Sequence, residues 1–545
     1  MLSSFPWLTT IGLIPLVGAL VVMLLPGRGA SRLVALVTSL ITLAVAVLAT
    51  MQFQPGAAEQ FQLVERVPWI PQWGVSYALG VDGMALAMIL MAAILVPICL
   101  LAAWNDVPEG GRREKAYFAW MLVLETMMVG VFASIDVFLF YVFFEAMLLP
   151  VYFLIGSYGG AGRTRAAIKF LLFSLAGGLI MLVAVIAVFF VGPRGPEGYL
   201  IGNLTNLTMA PMTENLLFLG FFIAFAVKAP MWPVHTWLPE AATEARPATA
   251  VLLVGVLDKV GTYGMIRFCL QMFPNASQWA TPVIIVLALI SILYGAAAAI
   301  GSRDMMRLIA YTSVSHFGFI VLGIFALTSV SQAGSILYMV NHGFSTAALF
   351  LIAGMLVARG GSKYVGDYGG WQRVTPVLAG SFLVAGLSGL AMPGMGSFVS
   401  EFLVMMGTFQ RYPVAAVISS VGIILAAVYV LVLYKRVFTG PQPGTMVLEV
   451  DGVVSHTDDL EEAHQLESAQ GDSGAHAARR RRLDVLDLDG REKLVVAPLI
   501  ALFLVLGCYP KPVLDVINPA VEKTLQYVGV ADPAPAVGAA NGSTK

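Results

Sequence analysis

The sequence predicts an all-α membrane protein that crosses the bilayer many times. Of its 545 residues, 58% are hydrophobic and 12% are charged, and the mean hydropathy is +0.84. A soluble protein carries about 25% charged residues. Apolar runs long enough to cross a hydrocarbon core of roughly 30 Å recur from end to end. These observations exclude a soluble domain with a single membrane anchor.

Hydropathy predicts about fourteen spans. The N-terminal apolar run lacks a preceding basic region, so we expect a retained first span and not a cleaved signal peptide. The spans lie at approximately 5–25, 31–51, 78–103, 115–134, 136–157, 165–191, 214–238, 247–271, 278–300, 304–326, 330–358, 375–408, 413–438 and 491–510. The predicted units are N-terminal helices at 1–114, two helix blocks at 115–271 and 278–438, a polar loop at 441–490, and a C-terminal helix with its tail at 491–545.

Basic residues fall in alternate loops. Such asymmetry marks cytoplasmic loops, so it predicts that both termini lie on the periplasmic side of a bacterial inner membrane. The exceptions in the outer loops are Arg66, Arg194 and Arg411.

The loop 441–490 differs in composition from the rest. It opens with PQPG, contains many acidic residues and ends in RRRRLDVLDLDG. One interpretation is a partly ordered loop held electrostatically at the cytoplasmic membrane surface. The other is a docking contact with a neighbouring subunit.

The blocks 115–271 and 278–438 each predict five spans. The fourth span of the first contains AVKAPMWPVHTWLPE, and the fourth span of the second contains GLAMPGMGSFVSEF. Both are interrupted by proline or glycine and carry an ionisable residue near the break. Because five is odd, the blocks are expected to be inverted repeats, and paired broken helices in such repeats are typical of a transport site.

Glu145 and Lys228 are expected to form an ion pair. Glu145 lies in the apolar run FLFYVFFEAMLLPVYF, and Lys228 directly precedes the first break. A carboxylate at membrane depth is costly without a cationic partner, and Lys228 is at similar depth in the same block. Opening the pair would favour release of the lysine proton. The alternative is a static pair that only joins two helices, although such pairs stabilise a fold poorly.

Lys259 lies near the middle of its span, in VLLVGVLDKVGTYG. Burial favours the neutral amine, which suits a proton carrier. The alternative, a side chain reaching the headgroups, is difficult from so central a position. Asp258 lies about 100° around the helix from Lys259. It either faces a different neighbour or modulates the lysine, and both interpretations stay open.

His316 and His342 are predicted to relay protons. They lie mid-span in consecutive spans, and imidazole both accepts and donates a proton near neutral pH. Glu401, after the second break, is predicted to be the terminal proton acceptor. A string of groups is thereby expected at mid-depth, with water completing the path: Glu145, Lys228, Lys259, His316, His342 and Glu401.

Other ionisable residues in the spans are assigned differently. His235, just past the first break, either has a structural role or gates and orients the path. Lys435, Arg436 and Arg267 lie near span ends and are expected to meet lipid headgroups.

The sequence gives no sign of a resident cofactor. The cysteines Cys99, Cys269 and Cys508 are far apart, so no iron–sulfur, haem or zinc site is expected. No glycine-rich nucleotide motif follows a strand-like run. A net charge of −1 argues against a nucleic-acid partner.

The stretch VKAPMWPVHTWLPEAATEARPATAVLLVGVLDKVGTYGMIRF resembles the signature of the antiporter-like subunits of respiratory complex I, the proton-translocating NADH:quinone oxidoreductase. These subunits are similar to the large subunits of Mrp-type sodium/proton antiporters. The similarity covers roughly 115–438. Glu401 points to the M type (chain 4 in mitochondria), because the sister N and L types tend to have lysine there. The L type also has a long lateral helix, which nothing after Pro510 is expected to form.

The resemblance implies fourteen core helices, inverted repeats and a proton path through the six residues above. It also implies that NADH, FMN, iron–sulfur clusters and quinone bind to partner subunits, and that this chain holds none of them. The expected partners are the other membrane subunits, including two sister antiporter-like subunits, together with lipid, protons and internal water. Asp258 beside the lysine and the loop 441–490 depart from the family pattern.

Two other functions stay open. The chain is alternatively a subunit of a Mrp-type cation/proton antiporter, which sodium-dependent proton exchange without co-purifying NADH-oxidising and iron–sulfur subunits would support. It is alternatively a structural membrane spacer, which unchanged proton flux after Lys259→Ala would support. The mid-membrane charges argue against the spacer.

Overall fold

The computed structural model describes residues 5–25, 30–107, 111–440, 446–450, 453–457, 481–482 and 486–534. Most of the described chain is helical, as the sequence predicts. The main helices, in chain order, are α1 Trp7–Leu24, α2 Ala30–Thr50, α3 Gly83–Ala102, α4 Arg112–Ala133, α5 Val137–Tyr158, α6 Arg163–Val191, α7 Pro211–Lys228, α8 Trp237–Glu244, α9 Pro247–Leu270, α10 Pro274–Gly301, α11 Met305–Phe325, α12 Ser329–Gly360, α13 Pro376–Gly389, α14 Gly396–Arg411, α15 Pro413–Phe438, α16 Gly490–Cys508 and α17 Lys511–Val528.

Within the described ranges, 12 helices are long and apolar enough to cross a membrane, or 13 if the bent pair α16–α17 counts as one span. The expected span 375–408 is two shorter helices, α13 and α14. The count of about fourteen spans and their arrangement as inverted repeats therefore stay predictions. The outcome supports a polytopic membrane protein because each of these helices exceeds the roughly 17 residues that a span needs.

Short β-hairpins interrupt the helical architecture. Strands β1 (Gln62–Ile70) and β2 (Val75–Val81) pair antiparallel directly before α3. The expected span 78–103 is therefore wrong at its start, where the chain is still in β2. In the polar loop, β3 (Met446–Val450) pairs with β4 (Val453–Thr457) and with β5 (Arg481–Arg482). The remainder of 441–485 lies outside the described residues.

The tail expected after Pro510 begins instead with α17, which bends by 69° from α16. The buried residues of α17 recur at three- and four-residue spacing, which is typical of a helix lying on a surface. They are Ile517, Ala520, Val521, Thr524, Leu525 and Val528. This periodicity was present in the sequence, but a search for continuous apolar runs does not detect it.

The ends of the helices form two opposite faces. The hairpin face carries β1, β2 and α17, and Lys523 of α17 donates there to the carbonyl of Ala58. The basic face carries the start of α4 and the connections α5–α6, α8–α9 and α12–α13. There Arg246 donates to the carbonyl of Tyr158 at 2.8 Å.

The first break follows Lys228, where prolines interrupt the helix between α7 and α8. Proline lacks an amide proton, so backbone carbonyls near the break lose their helical partners. The indole nitrogen of Trp237 donates to the carbonyl of Val227 at 2.9 Å, and the amide of Trp232 donates to the hydroxyl of Ser291 at 2.8 Å. Protein groups thus satisfy the irregular backbone, as a nonhelical segment at membrane depth requires.

The second break, between α13 and α14, is held from α12. The side-chain amide of Asn341 donates to the carbonyl of Gly396 at 2.8 Å and to the hydroxyl of Ser400 at 2.7 Å. Gly394 has a φ of +93°, a left-handed conformation that suits glycine. This anchoring fixes the start of α14, the helix that carries Glu401.

Helix α9 is irregular in two places. It contains π-helical turns at Leu253–Leu257 and Met265–Leu270, on either side of Lys259. Such turns widen the helix and are frequent at functional sites. Within the regular segment between them, a Cβ at Gly261 would lie 2.5 Å from the carbonyl oxygen of Phe225, so α7 and α9 approach closely there.

Arg267 does not reach lipid headgroups, contrary to the sequence-based expectation. It is 2% exposed, and its Nη2 forms an ion pair with Oδ2 of Asp82 at 2.5 Å. Its guanidinium also lies over the ring of Phe61 at 4.9 Å. The hairpin β1–β2 places these partners beside α9. Because this hairpin was not predicted from the sequence, lipid headgroups were expected as the partners of Arg267.

We expect Gly261→Ala to destabilise the protein by about 1–3 kcal/mol, because the added methyl group must push α7 away from α9. The measurement is the melting temperature of the purified, detergent-solubilised protein. Gly380→Ala is the matched control, since a Cβ at Gly380 of α13 meets nothing within 4 Å. It should be neutral or stabilising by about 0.5–1 kcal/mol. Equal melting temperatures for the two variants would contradict the close approach.

Candidate functional site

Lys228 lies at the end of α7 and is 1% exposed. Its ammonium lies over the ring of Phe144 at 5.0 Å and over the ring of Phe170 at 5.7 Å. Among the described residues its Nζ has no hydrogen-bond partner, and neither has the buried Oε1 of Glu145. The expected ion pair is therefore open in this structure, although the two charges still act on each other across the gap.

Gly178 of α6 provides the space that the Glu145 carboxylate occupies. A Cβ at this position would overlap Oε1 of Glu145. Glu145 itself lies just before a break in the α5 hydrogen bonding at Met147, where Pro150 cannot donate to the carbonyl one turn earlier. The sequence analysis missed Gly178, because a glycine in an apolar span carries no signal of the side chain that packs against it.

Asp258 interacts electrostatically with both lysines. It is fully buried, and within the described part of the chain neither carboxylate oxygen has a hydrogen-bond partner. The charges of Lys259 and of Lys228 both act on it. Both interpretations of Asp258, a modulator of Lys259 or a residue that faces a different neighbour, stay open, and Lys228 is a second charge that acts on it.

Lys259 is fully buried and makes two polar contacts. Its Nζ donates to the carbonyl of Val254 at 2.6 Å and lies 2.7 Å from Nδ1 of His342. The π-helical turn makes the first contact possible, because it leaves the carbonyl five residues earlier within reach. The ring of Phe317, 5.1 Å from the ammonium, covers another side. Lys259, which is expected to pass a proton to a histidine, is thus in direct contact with His342.

The two histidines are adjacent, with ring centroids 5.2 Å apart. Nδ1 of His342 faces Lys259, whereas its Nε2 has no hydrogen-bond partner among the described residues. On His316, Nε2 lies 3.2 Å from the hydroxyl of Tyr429, and Nδ1 is the nitrogen without such a partner. On each ring, therefore, one nitrogen contacts a neighbouring polar group and the other has no hydrogen-bond partner among the described residues.

Two tyrosines that the sequence analysis missed connect the histidines to Glu401. The hydroxyl of Tyr338 donates to Oε1 of Glu401, and its ring centroid is 5.8 Å from that of His316. Tyr429, on α15, contacts His316. Tyr338 precedes His342 by four residues, so helical spacing alone would have placed it on the same face. Tyr429 gives no such signal, because it comes from a distant helix.

A small cavity lies beside His316. Thr312, Gly389 and Tyr429 help to line it, and it offers about 10 Å³ to the centre of a water molecule. This is close to the space that a single water needs. The cavity reaches the end of α13 at the second break.

His235 lies apart from this series, past the first break. It is 2% exposed, and its ring centroid is 5.0 Å from that of Tyr294 and 6.4 Å from that of Tyr311. The charge of Lys169, which is paired with Glu240 at 2.7 Å, acts on it. These contacts do not decide between a structural and a gating role.

We name the connected groups the buried axis. It consists of Glu145, Lys228, Asp258, Lys259, His342, His316, Tyr429, Tyr338 and Glu401. Among the described residues, no group of three or more His, Cys, Asp or Glu side chains is arranged to hold a metal ion.

Comparison with known proteins gives a consistent family. The sequence model described as "NADH:quinone oxidoreductase/Mrp antiporter, TM" matches residues 134–426. NADH-quinone oxidoreductase subunit M of Mycobacterium tuberculosis is 47% identical over 572 residues, which covers 98% of this chain and 97% of that protein. The family model spans every member of the buried axis except Tyr429, and the match to subunit M covers nearly the whole chain.

Solved structures agree with this assignment. A chain in the structure "Respiratory complex I from Thermus thermophilus with bound NADH" has a TM-score of 0.80 and 28% identity, covering 96% of this chain and 100% of that one. A chain of the Mrp complex from Dietzia sp. DQ12-45-1b has a TM-score of 0.78 at 22% identity, covering 96% and 98%, and shares the fold. The chain therefore belongs to the family of transmembrane subunits of NADH:quinone oxidoreductases and Mrp antiporters.

Proposed function

We propose that this chain is an M-type membrane subunit of respiratory complex I and translocates protons along the buried axis. The similarity to subunit M of Mycobacterium tuberculosis over nearly the full length of both chains supports the subunit type. The observation that carries the transport function is the direct contact between the Lys259 ammonium and Nδ1 of His342. Ionisable residues at membrane depth are costly, and they mark ion pathways.

The proposal includes a membrane orientation and a set of partners. The basic face lies in the cytoplasm of a bacterium and the hairpin face lies outside, because the excess of arginine and lysine marks the cytoplasmic side. Both termini then lie outside. NADH, FMN, iron–sulfur clusters and quinone bind to partner subunits, and the two sister antiporter-like subunits lie in the same membrane.

The two blocks act as inverted repeats. The first, 115–271, carries Lys228 before the break between α7 and α8. The second, 278–438, carries Glu401 after the break between α13 and α14. Broken helices in corresponding positions of two repeats are typical of transport sites at the repeat interface. Each block then forms one half of the proton path, and Lys259 connects them.

Glu145 and Lys228 form the switch of the mechanism. While they are paired, Lys228 needs no other counter-ion, and Asp258 stabilises the charge of Lys259. When they separate, Lys228 attracts Asp258, and Lys259 loses part of that stabilisation. Two observations support the separated state: among the described residues Lys228 has no ion-pair contact with Glu145, and Lys259 contacts His342.

The proton then passes through the second half. Lys259 transfers it to Nδ1 of His342, which releases a proton from Nε2 toward Nδ1 of His316. A water molecule beside His316 then carries it on to Glu401, whose carboxylate the hydroxyl of Tyr338 orients. The first step, from Lys259 to His342, is at hydrogen-bond distance (2.7 Å), and in this proposal bridging water completes the later steps.

The proposed subunit identity predicts which proteins accompany this chain. Purification of a tagged chain from its native membrane should recover NADH-oxidising and iron–sulfur subunits, which mass spectrometry identifies. Recovery of other antiporter subunits alone, with sodium-dependent proton exchange, would assign the chain to a Mrp-type complex instead.

Glu145→Gln should abolish proton pumping while the complex still assembles, because a neutral amide cannot attract Lys228 and reset the switch. The measurement is NADH-driven acidification of inverted membrane vesicles, with assembly checked on native gels. Glu522→Gln, on the exposed side of α17, is the control and should pump normally. Full pumping by the Glu145 variant would refute the switch.

Tyr338→Phe should slow NADH-driven pumping about tenfold or more, since loss of a hydrogen bond to a charged group costs about 1.5–3 kcal/mol. The ring is retained, so packing changes little. Tyr434→Phe in α15 is the control, because its ring stacks against Phe438 at 5.1 Å and lies outside the axis. Equal pumping rates in both variants would show that the hydroxyl of Tyr338 does not orient Glu401.

A further inference from the structure

A polar branch leaves the buried axis at Lys259 and runs along α9 toward the hairpin face. Tyr263 and Arg267 follow Lys259 at one and two helical turns, a rise of about 12 Å in total. Nε of Arg267 donates to the hydroxyl of Tyr263 at 3.3 Å, and that hydroxyl donates to the carbonyl of Phe132 at 2.9 Å. The branch thus consists of contacting polar groups from Tyr263 to Asp82, and Lys259 lies one helical turn before Tyr263 on the same face of α9.

The branch ends at a cavity on the hairpin face. Asp82, the ion-pair partner of Arg267, lines this cavity together with Glu59, Gln60 and Lys523. The cavity offers about 20 Å³ to the centre of a water molecule, enough for about one water. The Arg267–Asp82 pair lies between this surface cavity and Tyr263, which follows Lys259 by one helical turn.

The chemistry of arginine makes this pair a barrier. A guanidinium stays protonated in proteins and has no acceptor atom, so it cannot take up a proton and pass it on. Its fixed positive charge also repels an excess proton, as charged constrictions do in selective pores. Here the guanidinium lies over two rings, Phe61 at 4.9 Å and Tyr263 at 5.4 Å, which exclude water around it.

Asp82 keeps the barrier in place. Its Oδ2 pairs with Nη2 of Arg267 at 2.5 Å, and its Oδ1 accepts from the amide of Ala85 at 2.9 Å as the cap of α3. The carboxylate is therefore fixed by the start of a helix, and the buried charge of Arg267 is compensated.

We propose that the Arg267–Asp82 pair is an electrostatic seal that closes a hairpin-face branch of the buried axis and so directs the proton from Lys259 to His342. This inference rests on the proposed proton-translocating function. A pair that only joins α3 to α9 would need neither a lysine at the other end of the branch nor a polar cavity at its surface end. Buried ion pairs also contribute little net stability, which disfavours a purely structural role.

The test measures passive proton permeability of the whole complex in liposomes, without NADH. A pH gradient is imposed, potassium and valinomycin clamp the voltage, and an internal dye reports pH. The double variant Arg267→Gln with Asp82→Asn removes both charges and leaves no unpaired partner. It should raise the proton permeability at least about tenfold over the wild type. Arg267→His, which keeps a partner for Asp82 and can relay a proton, is the second variant and should also leak.

Two controls separate a specific branch from general loosening. Adding Lys259→Ala to the double variant should abolish the leak, because the branch then has no proton carrier. Arg359→Gln with Glu492→Gln, which removes another ion pair (2.6 Å) on the basic face, should stay tight. The seal is refuted if the double variant and Arg267→His are both as tight as the wild type, if the leak persists without Lys259, or if the basic-face control leaks equally.

The outcome of the permeability test is independent of the test of the proposed function. Permeability is measured without electron transfer, whereas pumping is tested by Glu145→Gln. Loss of pumping in the Glu145 variant, combined with a tight double variant and a tight Arg267→His variant, would leave the pump intact as a proposal and remove the seal. Normal pumping in the Glu145 variant, together with a leak that depends on Lys259, would refute the switch and support the seal.

Discussion

The ammonium of Lys259 is the group around which the rest of the fold is arranged. A charge at the centre of a membrane protein needs partners, since lipid and packed side chains offer none. A π-helical turn supplies the carbonyl of Val254, and α12 supplies Nδ1 of His342. Close packing at Gly261 brings α7, which carries Lys228, against the same segment of α9. The irregularities of the fold thus converge on one side chain.

In the proposed mechanism, Asp258 couples the two lysines. Both lysine charges act on it, so a change in the environment of Lys228 also reaches Lys259. Two unit charges even about 8 Å apart interact by about 2 kcal/mol at an effective dielectric constant of about 20. A tenfold shift in a protonation equilibrium requires only about 1.4 kcal/mol. Partial loss of one such interaction is therefore sufficient to move a proton, without any large motion of the helices.

The sequence predicted the axis better than it predicted what surrounds it. Glu145, Lys228, Lys259, His316, His342 and Glu401 were identifiable because a charge or imidazole in an apolar run is conspicuous. Most of these residues were then found in contact or linked through neighbours. Their order along the path differs from their order in the chain, because His342, and not His316, contacts Lys259.

The elements that were missed share a physical reason. Tyr338, Tyr429 and Gly178 are ordinary residues of membrane helices, and their roles depend on which helix lies opposite. The hairpin β1–β2 and α17 were missed because hydropathy detects long apolar runs, whereas these elements are short or apolar on one side only. Arg267 was assigned to headgroups for the same reason, since its partner Asp82 is positioned by that hairpin.

In the proposed mechanism, the route of the proton follows from an asymmetry in the groups that surround Lys259. Toward Glu401 it meets imidazoles and a site for water, all of which accept a proton and release it again. Toward the hairpin face lie the phenol of Tyr263, which donates to the carbonyl of Phe132, and then the guanidinium of Arg267. A guanidinium neither accepts nor releases a proton in a protein. The two routes have similar polarity, so polarity alone would not choose between them. What separates them is whether each group can change its protonation state, and on that criterion only the route through His342 conducts.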